Sequence, residues 1–168
     1  MLMETIVAMG ILMVVAAGVL PLGALAVAHT ENQGHLQARV TEYAQDKMEQ
    51  LMALAFGDVN TDTRVFPAAP NGGTGLALGG SSDPAAPVAL YVDWLDEKGN
   101  LQASTGTTPP AIWFYERAWK IENAPNCAVV NGVCTMKRIS VSTRVRNHLG
   151  RIGGDPLATL VQLKSSPF

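Results

Sequence analysis

Glu4 is the residue whose type and position most call for a chemical explanation. It is an acid placed directly ahead of 24 uncharged residues, Thr5 to Ala28, and no Lys or Arg precedes it. A carboxylate beside such a run is costly to place in hydrocarbon unpaired. It either lies in a headgroup layer, where it favours a helix N-terminus, or it meets a cation on another chain, for which an α-amino group is the obvious candidate. Other arrangements are weaker. Asp58, Asn60 and Asp62 occupy the first three ligand places of a calcium loop, but Thr63 stands where its glycine belongs and Ala69 where its closing Glu belongs. That stretch reads as a polar turn. His29 and His35 are six apart and fall on different sides of a helix, and His148 stands alone in a turn, so none is read as a ligand. No GxSxG, phosphate loop, HExxH or dinucleotide fingerprint occurs. The chain reads as a non-enzyme without a metal or cofactor.

The element that must position Glu4 is the run TIVAMGILMVVAAGVLPLGALAVA. About 20 apolar residues suffice for a helix to cross a bilayer. A core helix of a soluble domain would show a polar face within that span. A cleavable signal would carry a basic start and an apolar stretch of about 7–15 residues. The expectation is a retained membrane helix. The 168 residues fit one domain of ordinary size. A net charge of −2 argues against a generic nucleic-acid binder, and two cysteines are too few for a disulfide scaffold or a structural zinc site.

The stretch Leu2-Met3-Glu4-Thr5-Ile6-Val7-Ala8-Met9-Gly10-Ile11-Leu12, followed by Gly18 and Pro21, resembles the N-terminus of the type IV pilin and pseudopilin family. The resemblance is specific over about residues 2–56 and is one of layout beyond them. Mature members look like an aromatic residue, a few apolar or small residues, a Glu at the fifth place and often a Pro at the twenty-second. Here Glu4 and Pro21 are both early by one, which implies one residue missing ahead of Met1 or a one-residue deletion. The basic leader that precedes cleavage is also absent, as a mature chain would require. The resemblance implies an α+β, lollipop-like fold, with a long N-terminal helix packed on an antiparallel β-sheet head. It implies processing by a prepilin peptidase with N-methylation, handling by the pilus assembly machinery, and residence in the bacterial inner membrane before assembly. Subunit contacts would then run through Glu4, Thr5, Ile6, Val7, Ile11, Leu12, Val15 and Val19, with Val14 and Leu20 beside them. Glu4 would pair with the N-terminal amine of an adjacent subunit. Gly18 and Pro21 would mark a stretch that unwinds on packing, since Pro breaks the hydrogen-bond ladder and Gly lowers helix propensity.

Beyond the apolar run, Leu36, Val40, Tyr43, Ala44, Met48, Leu51, Met52 and Ala55 recur at spacings of three and four and predict one helical stripe. Glu31, Arg39, Glu42, Asp46, Lys47 and Glu49 fall mainly off it. Gly57 is a suitable stop. A helix over 1–56 would be about 84 Å long at 1.5 Å per residue. The expected organisation is a membrane or filament-core helix over 1–28, its amphipathic continuation over 29–56, a Gly/Pro-rich connector over 57–87 and the sheet head over 88–168.

In the head, 88–95 and 101–104 flank a DEKGN turn and predict a hairpin. Residues 112–121, 135–146 and 157–164 predict further strands. Ile139, Val141, Thr143 and Val145 point one way, and Arg138, Ser140, Ser142, Arg144 and Arg146 the other. The expectation is one face packed on the helix stripe and one face wet. A head outside the cytoplasm meets an oxidising environment, so Cys127 and Cys134 are expected to be bridged. A type I′ turn at Asn131-Gly132 would set Cys127 opposite Met136, so the bridge is expected to need a shifted or longer loop. Lys137, Arg138, Arg144, Arg146 and Arg151 form a basic run. Pairing with acids of neighbouring subunits, or plain solvation, is preferred over DNA binding.

The reading is a filament subunit that polymerises with copies of itself, as a type IV pilus for adhesion, motility or DNA uptake. A minor pilin or a type II secretion pseudopilin is the runner-up. A single-pass anchored binding domain is the rival of a different class, and it leaves the family-like placement of Glu4 and Pro21 unexplained.

Overall fold

The structure is a computed structural model that describes residues 2–104, 106–130, 132–146 and 156–167. Asn131 of the hairpin turn, His148 and Arg151 lie outside the described residues. The chain forms an α+β protein in two compact units, Met1–Leu36 and Gln37–Phe168.

The first unit is wholly helical where it is described and belongs to α1 (Leu2–Ala53). Pro21 lies inside this helix and deprives the Ala17 carbonyl of its donor. The helix nevertheless continues through Gly18 and Pro21. Every side chain described from Met3 to His35 is exposed.

The second unit begins with the rest of α1. Val40, Tyr43, Ala44, Met48 and Leu51 are buried, as the stripe predicts. Lys47 is buried with them, with no exposed surface, and this corrects its expected place off the stripe. The reason is geometric: position 47 lies four after Tyr43, three after Ala44 and four before Leu51, so it falls in the middle of the stripe. The helix ends at Ala53, before the expected Phe56, in turns closed by Leu54 N–H to the Leu51 carbonyl and Asp58 N–H to the Ala55 carbonyl. Ala55 is therefore exposed. The last turn of α1 contains no base. Lysines from the sheet take that role: Lys164 Nζ donates to the Met52 carbonyl at 2.5 Å, and Lys137 Nζ to those of Phe56 and Leu76 at 2.8 and 2.7 Å.

The sheet is antiparallel. Its strands are β1 (Gly79–Gly80), β2 (Val92–Leu95), β3 (Leu101–Gln102), β4 (Tyr115–Asn123), β7 (Met136–Val145) and β8 (Leu157–Ser165), in the order β3-β2-β4-β7-β8, with β1 beside β4. Strands β5 (Val129–Val130) and β6 (Val133–Cys134) form a separate hairpin. The expected first strand is shorter than 88–95 because Leu90 adopts φ 70° and Tyr91 N–H closes a turn on the Val88 carbonyl. Asp96 shapes the following hairpin by accepting bonds from the Lys98 and Asn100 amides, while Gly99 takes φ 88° against the Tyr43 ring. β1 lies inside the expected connector, and a Cβ at Gly80 would strike the Trp119 carbonyl. Leu76 of the same connector is fully buried.

One face of the sheet carries Tyr115, Trp119, Ile121, Ile139, Val141, Thr143 and Val145, all buried. The second face is not simply wet, which corrects the expectation. Val92, Trp94, Glu116, Ala118, Ser140 and Ser142 share it by register and are also buried. Exposure returns towards β8, where Leu157, Val161 and Leu163 are 50–58% exposed. The basic run is also resolved by register. Arg144 lies opposite Glu116 and Arg138 opposite Glu122, and both pairs form ion bridges within the chain. Lys137 points to the other face. These cations were expected to pair with acids of neighbouring subunits or to be solvated; Arg138, Arg144 and Lys137 also take partners within the chain.

Candidate functional site

Two features are candidates for function, and each lies within one of the two units.

The first is the surface of α1 from Met3 to Ala28. Ile6, Val7, Ile11, Leu12, Val15 and Val19 are each 56–71% exposed, and Val14 and Leu20 more than 70%. Glu4 and Thr5 are exposed in the same stretch, Glu4 in the first turn. Among the described residues Glu4 has no ion-pair partner. Added Cβ atoms at Gly10, Gly18 and Gly23 would meet nothing within 4 Å. This span is long and apolar enough to cross a membrane, and none of its apolar window is buried within the chain. A helix apolar on all sides must be covered by something else. In lipid the transfer out of water is already complete, so association with other helices rests on close packing and polar pairing rather than on the hydrophobic effect.

The second is a buried charge cluster that fastens the helix stripe to the sheet. Lys47 Nζ donates to Asp93 Oδ2 at 2.7 Å and to the Thr63 carbonyl at 2.8 Å, and lies 4.0 Å from the Trp119 ring centroid. Arg117 grips the same Asp93 with two bonds, Nε to Oδ1 at 2.7 Å and Nη2 to Oδ2 at 2.9 Å. Its Nη1 reaches back to Asp46 Oδ2 at 2.8 Å. Two cations and two carboxylates thus close on one another. Burial pushes Lys47 down to about 8, against the pull of Asp93. Burial also tends to raise the Asp93 carboxyl, but Arg117 and Lys47 outweigh it and hold the group below the usual range. None of these four residues was singled out for this role from the sequence. The signal was present: Lys47 sits in the α1 stripe, Asp93 interrupts the apolar run VDWL, and Arg117 shares the parity of Tyr115, Trp119 and Ile121.

The remaining expected sites are placed as follows. Cys127 and Cys134 are bonded, with Cα atoms 5.7 Å apart. The hairpin keeps the register Val130↔Val133 and Val129↔Cys134, so the expected need for a shifted or longer loop is corrected. The ladder runs on through the bond from Thr135 N–H to the Ala128 carbonyl at 2.9 Å, and Cys127, the next residue, bonds across to Cys134. Asp58 accepts from the Asn60 and Thr61 amides and from the Thr61 hydroxyl, and Asp62 is gripped by Arg64. Both carboxylates are thereby spent on turns, as the sequence reading had it. Gly18 and Pro21 lie in continuous helix. His35 is exposed, and the His29 side chain lies outside what is described. Compared with protein-family models, curated proteins and solved structures, the chain matches none of them.

Proposed function

We propose that this protein is a structural subunit of a type IV pilus-like filament, polymerising through its apolar N-terminal helix. The observation that carries the reading is the pairing of a self-contained head with a helix whose apolar span, Met3 to Ala28, is exposed on every side and bears a single acid, Glu4, in its first turn. The head has its own core and its own charge compensation, so it has no need of that helix surface for folding. Before assembly the span lies in the inner membrane with the disulfide-bearing head outside the cytoplasm. On assembly, neighbouring helices replace lipid around Ile6, Val7, Ile11, Leu12, Val15 and Val19. Glu4 pairs with an N-terminal amine of the adjacent subunit and sets the axial register, which is the best-attested use of a buried ion pair. Gly18 and Pro21 supply the weak point at which the helix extends.

The test is cryo-electron microscopy of filaments sheared from producing cells, at side-chain resolution. The expected map shows this sequence as the repeating subunit with the apolar helix in the core. The chain found only at the filament tip, or in a short periplasmic filament, assigns it a minor-pilin or pseudopilin role. Its recovery solely as a monomer in the membrane overturns the proposal in favour of an anchored binding domain.

A further inference from the structure

The free edge of β8 is built to accept another strand. Val145 N–H bonds to the Pro156 carbonyl and Ser166 N–H to the Thr135 carbonyl. Together with the register Met136↔Ser165 to Arg144↔Leu157, these bonds make the even-numbered residues of β8 the ones that bond to β7. The backbone groups of Thr159, Val161 and Leu163 therefore point to the opposite side, where no strand pairs with them among the described residues. Leu157 points the same way, and its carbonyl accepts from Gln37 Nε2 at 3.2 Å.

Edge strands are ordinarily protected by shortness, proline, a bulge or outward charge. At the other end of the sheet β3 has two residues. β8 has nine, without Pro or Gly, and its nine consecutive register pairs leave no room for a bulge. Its one charge, Lys164, is spent on the Met52 carbonyl. Its exposed side chains include Leu157, Val161 and Leu163. Alongside this edge runs a groove lined by Gln45, Met48 and Glu49 of α1 and by Leu160, Val161 and Gln162 of β8. Glu49 is exposed and has no ion-pair partner among the described residues.

We infer that β8 is a docking edge for an extended segment of another polypeptide, which adds as a further strand of the sheet. Main-chain bonds to Thr159, Val161 and Leu163 supply affinity. Alternate apolar side chains of the segment continue the Leu157–Val161–Leu163 stripe, and a basic residue on the groove side meets Glu49. A second copy paired edge to edge would place two Glu49 carboxylates around the same groove, so charge favours a basic segment of a different sequence. The inference does not rest on the filament reading.

The experiment uses the full chain in detergent micelles and, as probe, the synthetic peptide TVKVSVRVKT, which alternates apolar with polar residues, carries three bases and copies no strand of this chain. Backbone amide exchange is read residue by residue. The expected result is that the amides of Thr159, Val161 and Leu163 exchange about tenfold more slowly with peptide than without it. Val161→Pro removes one outward N–H but no bond to β7 and should weaken peptide binding about tenfold, whereas Val161→Thr should not. Glu49→Lys should weaken it as well. Unchanged exchange at the three amides, or equal binding by Val161→Pro with the β7 amides still protected, overturns the inference. Protection already present without peptide also overturns it: if it grows with protein concentration the occupant is a second copy, and if it does not the chain covers its own edge.

Discussion

Lys47 Nζ lies 2.7 Å from Asp93 Oδ2, joining the centre of the helix stripe to the first long strand of the head. Both side chains are almost wholly buried, at 0% and 2% exposure. Asp93 also receives two bonds from Arg117, so one carboxylate holds two cations from two different elements. Desolvating these charges offsets much of their attraction, and the cluster is therefore better understood as fixing how the helix sits on the sheet than as a large net source of stability.

Asp93→Ala leaves Lys47 and Arg117 buried without their shared partner. It should destabilise the head by about 3–5 kcal/mol. Asp46, whose side chain is 56% exposed, meets only Arg117 Nη1 in this cluster, and Asp46→Ala should cost about 1 kcal/mol or less. Denaturant unfolding of the full chain in detergent compares the two. Equal losses would refute the central place given to Asp93.

The folded protein holds Lys47 at about 8, below its ordinary 10.5. Between those values the unfolded chain binds a proton that the folded chain does not. Stability should therefore gain a rising contribution from Lys47 as pH increases through that window. Lys137 and Lys164 are also lowered, by burial first, and act in the same direction. The difference between wild type and Lys47→Met isolates the Lys47 share. It should increase from pH 8 to 10.5, and parallel unfolding curves would show that Lys47 keeps its ordinary affinity.

Cys127 and Cys134 close a loop across a sequence separation of seven. Chain-entropy reasoning gives about 2.5 kcal/mol for such a loop. Because β5 and β6 form their own two-stranded sheet, the loss in a Cys127→Ser, Cys134→Ser double variant should concentrate in the hairpin. Amides of Val129, Val130 and Val133 should exchange faster, while those paired between β4 and β7 hold. Collapse of β4–β7 protection would show that the staple supports the whole head.

Glu4→Ala should abolish filament assembly while leaving the thermal unfolding of the head unchanged, since no residue of the described head pairs with Glu4. Counting filaments by negative-stain microscopy, alongside circular dichroism of the solubilised subunit, separates the two effects. Normal filaments from the Ala variant would remove Glu4 from the assembly mechanism.

The amino-acid sequence alone determined the apolar span, the helical stripe that follows it, and the positions of the four long strands to within a few residues. These are periodic, local signals: a run of 24 uncharged residues, recurrence at three and four, and alternation in ISVSTRV. It also led to the expectation that the two cysteines bridge, as they do. Tertiary structure alone decided which charges are buried and which partners they take. Lys47 looks like any lysine of an amphipathic helix until Asp93 and Arg117 arrive from β2 and β4, distant in sequence. Arg138 and Arg144 look free until the register sets Glu122 and Glu116 opposite them. The second face of the sheet looks wet by alternation, yet its centre is buried. An ion pair or a covered surface depends on groups brought together by the whole chain, and no local period encodes that meeting.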